Sequence, residues 1–282
     1  MAFLGYFIGL LVGIILGLLG GGGSLLVVVM VLVFAITPTD LATAYIGILV
    51  GVSACISAIP RIKQGLVDWP TVWALGIPVT IGMLLVRLVL VNYVQDISLA
   101  NGVVITTRTL VLLLMAALIL LSFATMVGLI GKNFKPRTEL KNENPAAYFG
   151  ILIVAGLLIG ILPGFAGAGG GVLIVPMLVI FFGVGMKKVV GTCLVIVTMK
   201  SFVGFLAGDV PRLAANKVGI DYQFLAGFAV VMIGGALIGS KLSHYVDNER
   251  LKTIFAWFLL GLAIFIIGKE LASLSAGEVA AP

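Results

Sequence analysis

The chain reads as all-α: a polytopic integral membrane protein with two homologous helical repeats, each with a glycine-broken first helix. Three observations predict this. Of the 282 residues, 61% are hydrophobic and only 10% are charged, whereas soluble domains carry about 25% charge. Mean hydropathy is +1.28, and apolar runs long enough to cross a bilayer, roughly 20 residues each, fill nearly the whole length. Two of those runs are interrupted by glycine clusters, GLLGGGGSLLVVVMVLVF at 17–34 and GILPGFAGAGGGVLIVPMLVIFFGV at 160–184.

Taken in order, Phe3 to Leu19 is the first span. With no basic segment before it and no small-residue cleavage site after it, it is a retained helix and not a signal peptide. Gly20 to Gly23 then break the run, since each glycine costs about 1 kcal/mol relative to alanine in a helix. A turn at Thr37-Pro38-Thr39-Asp40 caps the next helix, with Thr39 or Asp40 at the N-cap. The second span, Leu41 to Ile59, stops at Pro60 and the polar patch Arg61, Lys63, Gln64 and Asp68. A third runs from Trp69 to Val91, flanked by the interfacial aromatics Trp69 and Tyr93. Asn92 to Thr107 is a mixed connection, and Leu110 to Ile130 is the fourth span.

The organisation is therefore a first membrane repeat at 1–130, a basic linker at 131–146, a second repeat at 147–272 and a mobile tail at 273–282. In the linker, Lys132, Lys135, Arg137 and Lys141 outnumber Glu139 and Glu143, and the positive-inside rule places such a loop in the cytoplasm. Spans in the second half fall at 147–184 with its break, 189–208, 222–243 and 251–268. The halves resemble one another. An offset of 148 pairs Gly22-Gly23 with Gly170-Gly171, Leu25 with Leu173, Phe34 with Phe182 and Ser53 with Ser201; an offset of 153 pairs Asp68-Trp69 with Asp221-Tyr222 and Gly82 with Gly235. Repeats with an interrupted helix are a mark of secondary transporters. Four complete spans per half would make the repeats parallel; a short piece turning back after each break would make them inverted. The loop charges leave both open.

Irregular backbone inside a membrane must be buried in protein or line a wet cavity, because lipid cannot bond the freed N–H and C=O groups. A helix starting at such a break presents unpaired N–H groups and a partial positive charge, which favour an anion. Gly21, Gly22, Gly23 and Ser24 in the first half, with Gly167, Gly169, Gly170 and Gly171 in the second, are the candidates. Close helix packing is the competing reading for glycine, and suffices for Gly47, Gly51, Gly204 and Gly239. Lys200 lies in mid-span, where an ionisable group marks function by default; Arg87, nearer a span end, reads as a snorkelling residue. Thr43, Ser53, Thr192 and Ser201 are the nearby hydroxyls, each with the alternative of a simple bond to its own helix backbone.

Absences shape the reading too. Asp40, Asp68, Asp96, Asp209, Asp221 and the single histidine, His244, all fall at predicted span ends. A cation carrier or proton relay would place a carboxylate near the midplane, so the pattern favours an anion. Cys55 and Cys193 lie in apolar runs without CxxC or metal spacing and read as small buried hydrophobes. The charge of +6 is too scattered for nucleic acid. No catalytic residue, metal or cofactor is expected, and with no nucleophile–base pair at depth the chain is not an enzyme.

The motifs GAGGGVLIVPML at 167–178, GGGGSLLVVVMV at 20–31 and KKVVGTCLVIVTMKS at 187–201 resemble the TauE/SafE family of sulfite exporters, also called four-TMS sulfite/organosulfonate permeases. The resemblance covers most of the chain. The first half departs from it in having no proline to match Pro176, and Ala42-Thr43 where the second half has Val190-Gly191. What the resemblance implies is inner-membrane transport of sulfite, an organosulfonate or a related sulfur oxyanion. Joined to the residue reading, it gives a secondary transporter, an exporter, that holds its anion at the helix breaks and rocks one repeat against the other. Its partners are the oxyanion and lipid, with a homodimer left open. An anion channel and a non-transporting membrane assembly subunit are the alternatives.

Overall fold

Lipid offers no partner to a backbone N–H or C=O, so an apolar chain has to close its hydrogen bonds within helices. The computed structural model shows this outcome. It describes residues 2–21, 23, 39–86, 88, 97–98, 104–105, 107–127, 145–166, 171–182, 185–215 and 221–275. The helices are α1 (Ala2–Leu19), α2 (Thr39–Lys63), α3 (Trp69–Leu85), α4 (Thr107–Val127), α5 (Pro145–Ala166), α6 (Gly171–Phe182), α7 (Met186–Gly204), α8 (Val210–Ala215), α9 (Tyr222–Tyr245) and α10 (Asn248–Ser275). Among the described residues the one strand pairing is a two-residue antiparallel bridge, Ile97–Ser98 with Val104–Ile105. Among the described residues four stretches meet both length and hydropathy for crossing a bilayer, Leu41–Lys63, Met186–Asp209, Tyr222–Tyr245 and Asn248–Gly268. Large apolar side chains such as Trp73, Ile77, Val154, Leu158, Val230, Trp257 and Ile264 face outward, as a lipid-facing surface requires.

Several boundaries differ from the sequence expectation. Helix α2 passes through Pro60 and ends at Lys63. Pro60 lacks the N–H that would bond the Ile56 carbonyl, yet the helix continues past it; Gly65, at φ 68°, makes the actual stop. Asp209 is not a surface end group. A five-residue π-helical turn, Phe205–Asp209, carries α7 onward into α8, and Asp209 is only 2% exposed. Asp209 does close a crossing stretch, Met186–Asp209, as its place at a span end suggested, but its carboxylate is buried. Helix α5 starts two residues inside the segment read as linker, and α10 runs three residues into the segment read as tail. The expected turn residues Thr37-Pro38 and the linker's 131–144 lie outside the described residues, while Asp221 caps α9, accepting bonds from the N–H groups of Gln223 and Phe224 at 3.0 Å each.

Contacts fix the helix directions. Gly9, Gly13 and Gly17 of α1 lie against Phe228, Met232 and Ala236 of α9 in that order, so α1 and α9 run parallel. Gly156, Gly160 and Gly164 of α5 meet Leu75, Val79 and Val86 in the same way, so α5 runs parallel to α3. Small residues at every fourth position let the backbones approach closely. Helix α2 runs with α9, since Tyr45 stacks on Phe224 at one end and Gln64 bonds His244 at the other. Helix α7 runs against α2, because Gly191 lies on Arg61 and Gly47 on Asp209. Helix α3 follows α7, with Asp68 beside Thr192 and Gly76 beside Met199.

Three pairs of helices related by the sequence offset, α1 with α5, α2 with α7 and α3 with α9, therefore run in opposite directions. The packing is also crossed between halves: α1 sits on α9 and α5 sits on α3. The two middle helices, α2 and α7, pack on each other through Gly47 and Gly51. That matches the packing role expected of those glycines, and of Gly239, which abuts Ile14.

Candidate functional site

The first break forms because α1 cannot continue past Leu19. Gly20 closes the last turn with a 2.8 Å bond from its N–H to the Leu16 carbonyl and takes φ 74°, a left-handed conformation that glycine adopts at no steric cost. The second break ends α5 at Ala166 and starts α6 at Gly171. The two meet. A Cβ on Gly171 would stand 3.0 Å from the Gly20 carbonyl oxygen and 3.4 Å from the Gly21 Cα, and one on Gly21 would stand 3.5 Å from the Val172 Cα. The start of α6 thus abuts the end of α1, where first-turn N–H groups have no partner within their own helix.

Cys193 of α7 sits at this junction. Its thiol donates toward the carbonyls of Gly20 at 3.5 Å and Gly171 at 3.7 Å. The residue read as a plain buried hydrophobe is buried as expected, but it also bridges the two breaks.

The other candidates divide. Gly23 packs on Val50 of α2. Lys200 is 4% exposed, so it does not snorkel. Ser201 lies against Gly51 in the α2–α7 seam. Ser53 is fully buried, and its hydroxyl has no bonding partner. Thr192 is committed elsewhere, donating to the Lys188 carbonyl at 2.8 Å and accepting from the Asp68 N–H at 3.0 Å. Thr43 is remote. It bonds Asp209 at 3.4 Å, eighteen residues and about 27 Å along α2 from Arg61. Gly22, Ser24, Gly167, Gly169 and Gly170 lie outside the described residues, as does the side chain of Arg87.

Arg61 is what the sequence reading passed over. It was placed in a polar patch beyond the second span, yet it is 1% exposed, and its Nη2 donates to the Gly17 carbonyl at 2.8 Å. The spacing Ser53, Ser57, Arg61 was the available signal, because residues four apart share one helix face. It was hidden by ending the helix at Pro60.

A multi-pass bundle of apolar helices, with two helix breaks apposed in its interior, is the architecture of a membrane transporter. The chain belongs to the sulfite exporter TauE/SafE family, whose profile matches residues 5–266. A probable membrane transporter protein of Xylella fastidiosa strain Temecula1 is 28% identical over 267 residues, covering 94% of this chain and 95% of the relative. A probable membrane transporter protein of Methanocaldococcus jannaschii is 30% identical over 128 residues, 41% of this chain and 43% of the relative. One of Haemophilus influenzae is 30% identical over 115 residues, 40% of this chain and 41% of the relative. No solved structure matches. The family is one of transporters and not of enzymes.

Proposed function

We propose that the chain is a secondary transporter that exports sulfite, an organosulfonate or a related sulfur oxyanion across the inner membrane. The observation that carries this reading is the apposition of Gly20–Gly21 with Gly171–Val172. It brings the positive end of the α6 dipole to an interior break, an environment that favours an anion. Lys200, buried one span away, adds positive charge, and membership of a sulfite exporter family supplies the substrate class.

Orientation follows from the basic residues. Lys63, Lys187, Lys188, Lys241, Arg250 and Lys252 all belong to one end of the bundle, where α2 and α9 finish and α7 and α10 start. Helix α5, which follows the basic linker in the chain, starts at that end too. By the positive-inside rule that end is cytoplasmic.

The mechanism differs from one repeat rocking on the other. The first helix of each half is locked by glycines to the third helix of the opposite half, so separating the halves would tear both the α1–α9 and α5–α3 seams. The moving bodies are these crossed pairs, sliding about the α2–α7 seam with the two breaks between them. The opposed directions of the matched helices are those of an inverted repeat, an arrangement suited to two mirror-related access states. An interior-negative potential assists efflux of an uncompensated anion by about 2.3 kcal/mol per charge per 100 mV.

The test is transport in proteoliposomes. The purified protein should move sulfite or methanesulfonate, and Lys200→Ala should slow it by about tenfold, the loss set by one charge-assisted contact. Cation flux indifferent to the anions supplied would overturn the proposal.

A further inference from the structure

Hydroxyl groups on the spanning helices mostly bond the carbonyl four residues back. Thr80 does so to Gly76, Ser122 to Leu118, Thr192 to Lys188 and Thr198 to Leu194. Among the described residues four buried side-chain atoms have no bonding partner: Ser53 Oγ, Ser57 Oγ, Arg61 Nη1 and Ser240 Oγ. An unbonded polar group is costly in a low-dielectric interior. Four of them in one place call for a ligand.

They are in one place. Ser53, Ser57 and Arg61 lie at every fourth position of α2, on one face. That face meets the first break at both ends, since Val50 touches Gly23 and Arg61 bonds the Gly17 carbonyl. Ser240 lies one turn beyond Ala236 of α9, and Ala236 is the residue packed on Gly17. Arg61 thus touches the end of α1, Ser53 and Ser57 share its face of α2, and Ser240 lies one turn beyond the residue packed on Gly17.

A structural role accounts for only part of this. Arg61 Nη2 satisfies one carbonyl at the end of α1, as a cation near a helix C-terminus does. That explains neither the idle Nη1 nor the two serines beneath it. The set has a definite chemistry. A guanidinium has donors and no acceptor, and hydroxyls can all turn to donate. The fixed positive charge repels a cation, so the fitting ligand is an anion with several acceptor oxygens on one atom.

We propose that Ser53, Ser57, Arg61 and Ser240 form the oxyanion-holding site of the carrier, on the basic side of the apposed breaks, with Arg61 as its charge. The proposal rests on reading the chain as an oxyanion carrier and deepens it. Arg61 receives the anion from the end that carries the basic residues, and the serine hydroxyls complete its shell along α2.

The test uses the full-length protein in lipid nanodiscs, with methanesulfonate and sulfite as probes and binding read by calorimetry and thermal shift. Arg61→Gln should weaken binding by about tenfold or more, the loss of a charge-assisted contact. The double variant Ser53→Ala/Ser57→Ala should melt at or above the wild-type temperature without ligand, because removing an unbonded buried hydroxyl is neutral or stabilising, yet bind several-fold more weakly. If Arg61→Gln does not fold, Arg61→Lys and the serine double variant decide the matter. Wild-type affinity in the serine variant, or a lowered melting temperature without ligand, would overturn the assignment, the latter meaning that the hydroxyls serve bound water or packing. Oxyanion binding that survives Arg61→Gln but is lost in Lys200→Ala would leave the carrier reading standing and remove this site. No oxyanion binding by the wild type would remove both.

Discussion

Gly171 and Gly20, 151 positions apart in the chain, lie so close that a Cβ on Gly171 would stand 3.0 Å from the Gly20 carbonyl oxygen. One glycine ends a helix and the other begins one. Their contact turns two separate interruptions into a single interior junction, and it makes both positions intolerant of side chains.

Gly20 should be the more sensitive of the pair. At φ 74° an L-residue costs about 1–2 kcal/mol, and Gly20→Ala would also crowd Val190 of α7 at 3.2 Å. A lowered melting temperature in detergent, with a larger proportional loss of transport, is the expected result. An unchanged melting temperature would show that the left-handed turn is not required.

The crossed seams make a paired prediction. A Cβ at Gly160 overlaps the Val79 carbonyl, and one at Gly13 overlaps the Met232 carbonyl, whereas one at Gly234 meets nothing within 4 Å. Gly160→Ala and Gly13→Ala should each destabilise by about 1–3 kcal/mol through overpacking. Gly234→Ala should be neutral or slightly stabilising, since alanine is the better helix former. Thermal unfolding of the three variants side by side checks this.

The α9 cap is a third. Asp221 accepts two N–H bonds at 3.0 Å, and its own N–H donates to the Tyr45 hydroxyl at 2.9 Å. Asp221→Ala should cost about 1 kcal/mol. Asp221→Asn, which keeps a capping oxygen, should recover most of it.

Cysteine chemistry reports on the junction. Cys193 is fully buried between the breaks, while Cys55 is partly exposed. A membrane-permeant maleimide should label Cys55 first, and Cys193 only in conformations where the breaks separate. Using Cys55→Ala protein, the Cys193 labelling rate should change when methanesulfonate is added. Equal, fast labelling of both thiols would contradict the buried junction.

Much of this was legible in the sequence, and for a clear reason. A bilayer demands long apolar runs, so spans, breaks and the basic linker announce themselves by composition alone. The pairing of Asp68-Trp69 with Asp221-Tyr222 marked two helix starts, at α3 and α9. Three features escaped. Arg61 was lost because Pro60 looked like a stop, though α2 carries on through it to Lys63. Asp209 was lost because a π turn carries α7 past the point where the apolar run fades. Helix direction was left open because a half-length helix such as α6 can turn back without any change in composition.

The sequence by itself determined that this is a membrane protein with two glycine-broken helices, since those facts depend on residue type and order alone. Only the tertiary structure decided that the breaks touch, that each first helix packs on the opposite half, and that Ser53, Ser57, Arg61 and Ser240 are buried with polar atoms unbonded. Which face of a helix turns inward depends on its partners, and every apolar span offers several equivalent faces. Packing chooses among them, and here it turned Arg61 inward onto the end of α1.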